Sequence, residues 1–393
     1  VATSGLNKVR EGAAVSGCCL PVSVQQVVMV WFWAMILGLM VARAEEPAAL
    51  QQAVSLIQEK LPGQLGDEQL LLAALQGITE HLNQQLGAPV NGVLTADGHA
   101  AFSAYLRGER EGLGALYQIV PGQGLLLDHV FADGPAARAG LVRGDLIVAI
   151  NNHPFTGLSD DDIFQTASAG AMLPSIALDV RRPAGPRRFE ILRGAYRVPS
   201  VSAHPTQANC VELLFFGEGA AADLRRQISG MDPAAGLLLD MRDNQGGMLS
   251  EAVAAAGLFI EAGAVVVIQR SADGAEEPLV APGERTWSGQ IALLVNERTA
   301  GAAEAFAAAL REHRVADISG TQTAGLAREP SYYPIDGGLV LQLADTILRA
   351  PSGQSWDGVG LVPDLWVEPV TNSPSGILPD VQLSTARGLL QQP

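Results

Sequence analysis

The chain has 393 residues, 48% of them hydrophobic, with 25 Lys and Arg against 41 Asp and Glu for a net charge of −16. That length accommodates two or three domains with real cores, and so acidic a surface repels phosphate backbones and argues against nucleic acid as a partner. The three cysteines and six scattered histidines form no H-x-x-x-H or H-E-x-x-H spacing and no cysteine cluster, so neither a metal site nor a cofactor is expected.

Lys8 and Arg10 precede an apolar run over 27–42, followed by Ala42-Arg43-Ala44 and then Glu45-Glu46-Pro47. The run is short for a bilayer span, and a small-x-small triplet before an acidic start suits signal peptidase. Residues 1–44 therefore read as a cleaved signal peptide of an exported, periplasmic or cell-envelope protein. An uncleaved anchor is the alternative, with membrane contact only through it. No cysteine follows the run to carry a lipid. Removal of 1–44 takes away Lys8, Arg10 and Arg43 against Glu11, deepens the charge to −18, and leaves Cys210 as the only cysteine and Lys60 as the only lysine.

From Pro47 to about Leu106 the pattern is helical. Leu50, Val54, Ile57 and Leu61 mark one amphipathic segment, ended by Pro62-Gly63, and Leu70, Leu71, Ala74, Leu75 and Ile78 mark the next. Residues 45–108 are expected to form a helical N-terminal domain. A β-rich stretch follows, with strand-like runs LLLDHV (125–130), DLIVAIN (145–151) and IALDVRR (176–182) between Gly, Pro and Asp, and 109–195 suits one small binding module. After Val198 strands and helices alternate: VELLFF, a helix over 220–231, a run over 236–241, a helix over 249–260, VVVIQR, IALLVN, a helix over 302–313 and ADISG. Apolar strands between helices predict a largely parallel sheet covered on both faces, over a core domain of 196–370. LVLQLADTILRA (339–350) alternates by two, as a half-exposed antiparallel strand does. The tail, 371–393, reads as a loop and a short helix, QLSTARGLL.

Chemistry enters first at Gly112-Leu113-Gly114-Ala115-Leu116-Tyr117, followed by Gly134-Pro135-Ala136-Ala137-Arg138-Ala139-Gly140-Leu141, by Arg143-Gly144-Asp145-Leu146-Ile147 and by Ile150-Asn151. A glycine-flanked loop before a strand exposes backbone N–H groups that can hold a peptide's terminal carboxylate, while the strand edge pairs with the peptide backbone. The order and spacing of these pieces resemble a PDZ domain. The resemblance implies peptide binding at Leu113, Gly114, Ala115 and Leu116, with Phe164 and Ala167 of a helix over 160–169 facing the peptide side chain. The alternative is that these two pack only into the module's core.

The second string is Leu237-Leu238-Leu239-Asp240-Met241-Arg242-Asp243-Asn244-Gln245-Gly246-Gly247, a strand entering a Gly-Gly turn whose N–H groups could face a developing oxyanion. The third runs from Ile291 through Asn296-Glu297-Arg298-Thr299-Ala300-Gly301-Ala302-Ala303-Glu304 into a helix. Gly320-Thr321-Gln322-Thr323-Ala324-Gly325-Leu326, Ala350-Pro351-Ser352-Gly353 and Gly360-Leu361-Val362-Pro363-Asp364 follow. This order resembles the carboxy-terminal processing, or tail-specific, serine peptidases over nearly the whole chain beyond the leader. It implies an α/β fold with a crotonase-like (Clp-protease-like) core, an inserted-type PDZ domain and an N-terminal helical segment.

The same resemblance implies a serine and lysine dyad, the lysine taking the serine's proton. Residue by residue, the family's nucleophile falls here on Gly301 and its second serine on Ala303, while Glu304 is kept; the lysine falls on Leu326 and a following glutamine on Pro330. The oxyanion loop, Gly246 and Gly247, remains. Arg328 stays protonated and cannot act as a base. Thr299, His204 and His313 are expected to be structural, and Ser250, Ser288, Ser319 and Ser331 are the candidates for a relocated nucleophile.

Glycine is tolerated at a helix N-cap, and leucine is an apolar filler of lysine's length, so such a dyad decays without unfolding the core. The expected protein is an exported homologue of these peptidases that binds protein or peptide C-termini through its PDZ domain without cutting them. An active homologous peptidase is a further expected partner. The alternatives are an active serine-type endopeptidase with a relocated catalytic set and a non-hydrolytic acyl chemistry.

Overall fold

The computed structural model describes residues 49, 52–57, 59–60, 66–204, 207–370 and 380–390. The leader, Leu50, Leu61, the Pro62-Gly63 stop and the loop expected from Thr371 lie outside the described residues. Two helices, α1 (Asp67–Leu86) and α2 (Ala96–Leu106), flank the short strand β1 (Gly92–Leu94). The helical pattern expected to reach Leu106 is thus interrupted at residues 87–95. Gly87 and Pro89 stop α1, and residues 92–94 instead pair antiparallel with 340–342. Thr95 caps α2, its hydroxyl accepting from Gly98 N at 3.1 Å.

A two-stranded ribbon, β2 (Glu109–Gly112) and β9 (Gly194–Arg197), leads into and out of a separate sheet. Between them come β3 (Ala115–Val120), β4 (Gly124–Val130), the short helix α3 (Pro135–Arg138), β5 (Leu146–Ile150), β6 (His153–Pro154), α4 (Asp160–Ala171), β7 (Ser175–Arg182) and β8 (Gly185–Leu192). The sheet order is β3-β4-β5-β7-β8, with β6 paired to β5, so β3 has a free edge. Alternate residues of the strands turn inward: Leu125 and Leu127 of β4 and Ile176, Leu178 and Val180 of β7 pack around Phe155 and Ile163.

The remaining chain builds two sheets. The larger has the order β10 (Val201–Ala203), β11 (Cys210–Leu213), β12 (Leu237–Asp240), β15 (Ile291–Val295), β16 (Ala316–Gly320), β19 (Leu365–Trp366), and all neighbours but β10 and β11 run parallel. Helices α5 (Ala220–Ile228), α6 (Leu249–Ala256) and α7 (Ala302–Glu312) share one core with Leu237, Leu239, Leu293 and Ile318. Helix α8 (Val381–Leu389) covers the other face, on Leu238, Ala292 and Leu294. The continuously apolar β15 is buried at every position for this reason.

The second sheet is antiparallel and has the order β1-β18-β13-β14, with β13 (Val265–Arg270), β14 (Glu276–Val280), β18 (Leu339–Arg349) and, also on β18, β17 (Arg328–Ile335). VVVIQR, expected in the parallel sheet, is therefore β13 of this one. A turn at 271–275 returns it into a hairpin with β14, and only Val266 and Val267 of the run are buried. Three expected elements are also shorter than the sequence pattern: α5 stops at Ile228, α6 at Ala256 and β11 at Leu213.

Candidate functional site: an elbow cleft and a strand-edge groove

Helix α7 is rich in alanine, and the small side chains let it lie against both the parallel sheet and α6, burying every residue from Ala302 to Leu310. Phe306 anchors it between Phe216 and Phe259, with ring centroids 5.5 and 6.0 Å away. The turn from β15 into α7 is held from inside by Thr299. Its hydroxyl donates to Met241 O at 2.9 Å and accepts from Asn296 N at 3.0 Å, and the residue is fully buried. Thr299 is thus committed to the turn and unavailable as a nucleophile.

Gly301 caps α7 with φ 60° and ψ −122°, a shape that L residues adopt only under strain and that is found where a nucleophile is presented at a strand-to-helix turn. A Cβ built on it would meet only Gln245 O, at 3.7 Å, so the space for a side chain is still there. Gly246 packs on the elbow so closely that its own Cβ would lie 2.9 Å from Ala300 O and from Ala302 N. Of the N–H groups expected to face the elbow, that of Gly246 instead donates to Asn244 Oδ1 at 2.9 Å. The N–H groups of Gly247 and of Ala302, the first of the helix, make no hydrogen bond among the described residues. The positive end of the α7 dipole is aimed at the same place.

Glu304 joins the elbow to the loop that carries Leu326. One carboxylate oxygen accepts from Gly301 N at 3.0 Å and from Leu326 N at 2.8 Å; the other accepts from Gly325 N at 2.8 Å and from the Thr323 hydroxyl. The residue is fully buried. Burial pushes its carboxyl above the usual range, against the opposing pull of the Thr323 hydroxyl and the three N–H groups. One buried carboxylate therefore ties together the positions of Gly301 and Leu326, 25 residues apart in sequence.

Beyond Leu326, Arg328 is locked to Asp357 at 2.7 Å, and Gly358 N donates to Gly325 O at 2.8 Å, fastening the 351–360 loop over this strand. Pro330 lies at a register shift between Glu329 and Ser331 in the pairing of β17 with β18, as expected where a residue has no N–H to give to the ladder. Next to it, burial pushes the Glu329 carboxyl up to about 7.

The relocated-nucleophile candidates are scattered. Ser319 is fully buried in β16 with its hydroxyl unpartnered, Ser331 donates to Asp345 Oδ1 at 2.8 Å, and Ser250 and Ser288 are exposed. No hydrogen bond links any of them to a histidine or a lysine among the described residues. His313 sits 2.7 Å from Val265 O, and His204 lies beside Glu212. Burial pushes the Cys210 thiol up to about 12, which leaves it inert. Among the described residues no His, Cys, Asp and Glu group is arranged to hold a metal ion.

The second site is the free edge of β3 with α4 beside it. Gly114 O accepts from Phe131 N at 2.9 Å and Leu113 O accepts from Ala136 N at 2.7 Å, so the loop at 113–114 is pinned through its carbonyls. Leu116, Tyr117 and Phe164 stand 49%, 38% and 50% exposed along this edge and helix. Ala167 does not join them. It is buried with Ile163 and Gly170 on the inward face of α4, three and four residues apart, and so belongs to the module's core.

Residues 209–367 match peptidase family S41 and residues 130–172 match the PDZ domain. A probable CtpA-like serine protease of Staphylococcus haemolyticus is 26% identical over 297 residues, which make up 74% of this chain and 59% of that protein. A carboxy-terminal-processing protease of Bartonella bacilliformis is 30% identical over 246 residues, 60% of this chain and 56% of that protein. The chain thus spans about three fifths of the length of the curated relatives it matches. In fold it is similar to a putative S41 protease from Bacteroides fragilis, with a TM-score of 0.55 and 17% identity over 77% of this chain and 86% of that one. The family match lies on the parallel sheet and the elbow and the PDZ match on the module beside them, so residues 209–367 form a peptidase family S41 region and residues 130–172 belong to a PDZ domain, the pair of parts that the carboxy-terminal-processing relatives resemble.

Proposed function

We propose that this protein is an exported, non-cleaving member of its family that captures protein C-termini through the PDZ groove. The observation that carries this reading is the elbow. The backbone strain at Gly301, the Glu304 tie and the free N–H at Ala302 are all kept, while the two positions they organise carry no nucleophile and no base. A glycine cannot attack a carbonyl and a leucine cannot take a proton, so a peptide entering the cleft is held without acyl transfer. The PDZ groove needs only backbone donors, a free strand edge and apolar walls, and β3 with Leu116 and Phe164 supplies them. The crotonase-like description of the core, the leader over 1–44 and a role beside an active homologous peptidase belong to the same reading.

The test combines three measurements on the purified chain: binding of peptides with free apolar C-termini, hydrolysis of an unfolded substrate, and labelling by a fluorophosphonate probe. Binding without hydrolysis or labelling supports the proposal. Hydrolysis abolished by substituting Ser250, Ser288, Ser319 or Ser331 overturns it in favour of a relocated catalytic set.

A further inference from the structure

The PDZ module meets the core in two ways. One is covalent, through the ribbon of β2 and β9. At its core end Arg110 lies over the Tyr105 ring at 3.6 Å and the Phe215 ring at 5.2 Å, a firm cation–π anchor. At its module end Gly112 is paired with Gly194, and the ribbon is braced there by the ion pair of Arg193 with Glu111 at 3.6 Å. The other is a seam between β4 and β11. His129 of β4 places Nδ1 3.9 Å from Glu212 Oε2, and His204 places Nε2 4.0 Å from Glu212 Oε1. Glu212 Oε2 is buried without a hydrogen-bond partner. The His129 ring rests on Phe131 at 4.5 Å, and Phe131 stacks on Tyr196 of the ribbon at 5.6 Å. The seam is thus mechanically continuous with the ribbon. A cavity of about 760 Å³, lined among others by Arg143 of the PDZ module and by His204, Cys210 and Asp380, lies alongside.

We propose that the cluster of His129, Glu212 and His204 is a proton-dependent latch that holds the PDZ module against the core while Glu212 is protonated and loosens when Glu212 ionises. The charged and titratable groups facing Glu212 are His129, Asp128 and Arg143 from the PDZ module, His204 from the turn after β10, Cys210 of its own strand, and Asp240 and Arg242 from β12 and the turn that follows it. Arg242 is engaged by Asp240 and Asp380, and Arg143 by Asp128, so both pull on the Glu212 carboxylate only from a distance and neither pairs with it. An ionised Glu212 in the closed seam therefore carries a buried charge without a dedicated partner, which is the costly state.

Burial, followed by Asp240, pushes the Glu212 carboxyl up to about 7 in the closed form from an ordinary 4.5. A group whose value is raised by closing favours the closed form fully below its ordinary value, and that preference is lost as pH rises through about 7. His129 and His204 are pushed down, by burial and then by Arg143, and oppose closing as pH falls below the ordinary imidazole range. The latch is therefore tightest in a mildly acid window and loosens on the alkaline side.

The test is a distance measurement across the seam, by spin labels on Arg187→Cys and Glu261→Cys in the full chain with Cys18 and Cys19 replaced by Ser. Cys210 is buried and stays unlabelled. The closed-to-open ratio should fall about two- to fourfold between pH 6.5 and pH 8, the size set by a carboxyl moved from 4.5 to about 7 and opposed by the imidazoles. In Glu212→Gln the fall with rising pH should be abolished, leaving only the opposite, slight rise from the two imidazoles, and in His129→Phe the response should steepen on the acid side. A ratio in the parent chain that does not change over this range overturns the latch, as does the same pH response in Glu212→Gln.

Discussion

The PDZ groove and the elbow cleft are the two places proposed to receive an extended peptide, but they depend on their sequences in different ways. The groove works through backbone: carbonyls pinned at Leu113 and Gly114, a strand edge with no partner, and apolar walls that many residues can supply. The cleft is also shaped by backbone, through the strained Gly301, the close-packed Gly246 and the N–H groups gathered on Glu304. On the proposed reading, however, its chemistry would rest on two side chains at positions that carry Gly301 and Leu326. A backbone-made site survives drift in its side chains, whereas a dyad is lost with either member. On the proposed reading, the tie through Glu304 keeps the cleft's shape without its reactivity.

The sharpest way to break this comparison is to restore the side chains. Gly301→Ser combined with Leu326→Lys should give fluorophosphonate labelling and cleavage about 10²- to 10⁴-fold above either single variant, the range a positioned proton acceptor contributes. Pro330 and its register shift favour the low end, because no glutamine side chain is there to orient the lysine. A double variant that folds and binds tails but stays inert would mean that decay reaches beyond the dyad. Activity from Gly301→Ser alone would reveal another base.

Next in size is the tie itself. Glu304→Ala strips the acceptor from three buried or half-buried N–H groups and should cost about 2–3 kcal/mol in urea unfolding, without altering tail-peptide affinity. An unchanged unfolding midpoint would show that the elbow and the Leu326 loop are held by something else.

Glu329, beside Pro330 on the strand that leaves the cleft, adds a pH-dependent contrast. Burial raises its carboxyl to about 7, so its neutral form is the one the fold accommodates, and stability is lost as pH rises through that value. Glu329→Gln should stabilise the chain by about 1–2 kcal/mol at pH 8.5, allowing for the water that reaches a half-buried group, and by only a few tenths near pH 4.5. Equal stabilisation at both pH values would put the effect elsewhere.

The smallest effect belongs to the groove. Amidating the C-terminus of a bound peptide should weaken binding by about 1 kcal/mol, the scale of one charge-assisted hydrogen bond, in a titration against the matched acid. Equal affinities for acid and amide would take the carboxylate out of the recognition and leave only the strand edge.

What the sequence determined by itself was local or periodic. The apolar β15, the helices at 160–171 and 302–312 and the two-residue alternation of β18 are properties of short stretches, each readable without its neighbours. Tertiary structure decided everything that needed a second segment. Residues 92–94 became a strand only because β18 offered them an edge, and β13 joined the antiparallel sheet because β14 and β18 flank it. Ala167 turned inward with Ile163 while Phe164 stayed at the surface, a choice made by how α4 sits on its sheet. Glu304 accepts one hydrogen bond from Gly301 at the start of its own helix, yet the other three of its four come from a loop about 20 residues further on. The meeting of His129 with Glu212 joins segments 83 residues apart that share no pattern. Hydrophobic period and turn chemistry are written along the chain, but a buried polar group is partnered by whatever the packed fold brings to it, and that is fixed only when the layers close.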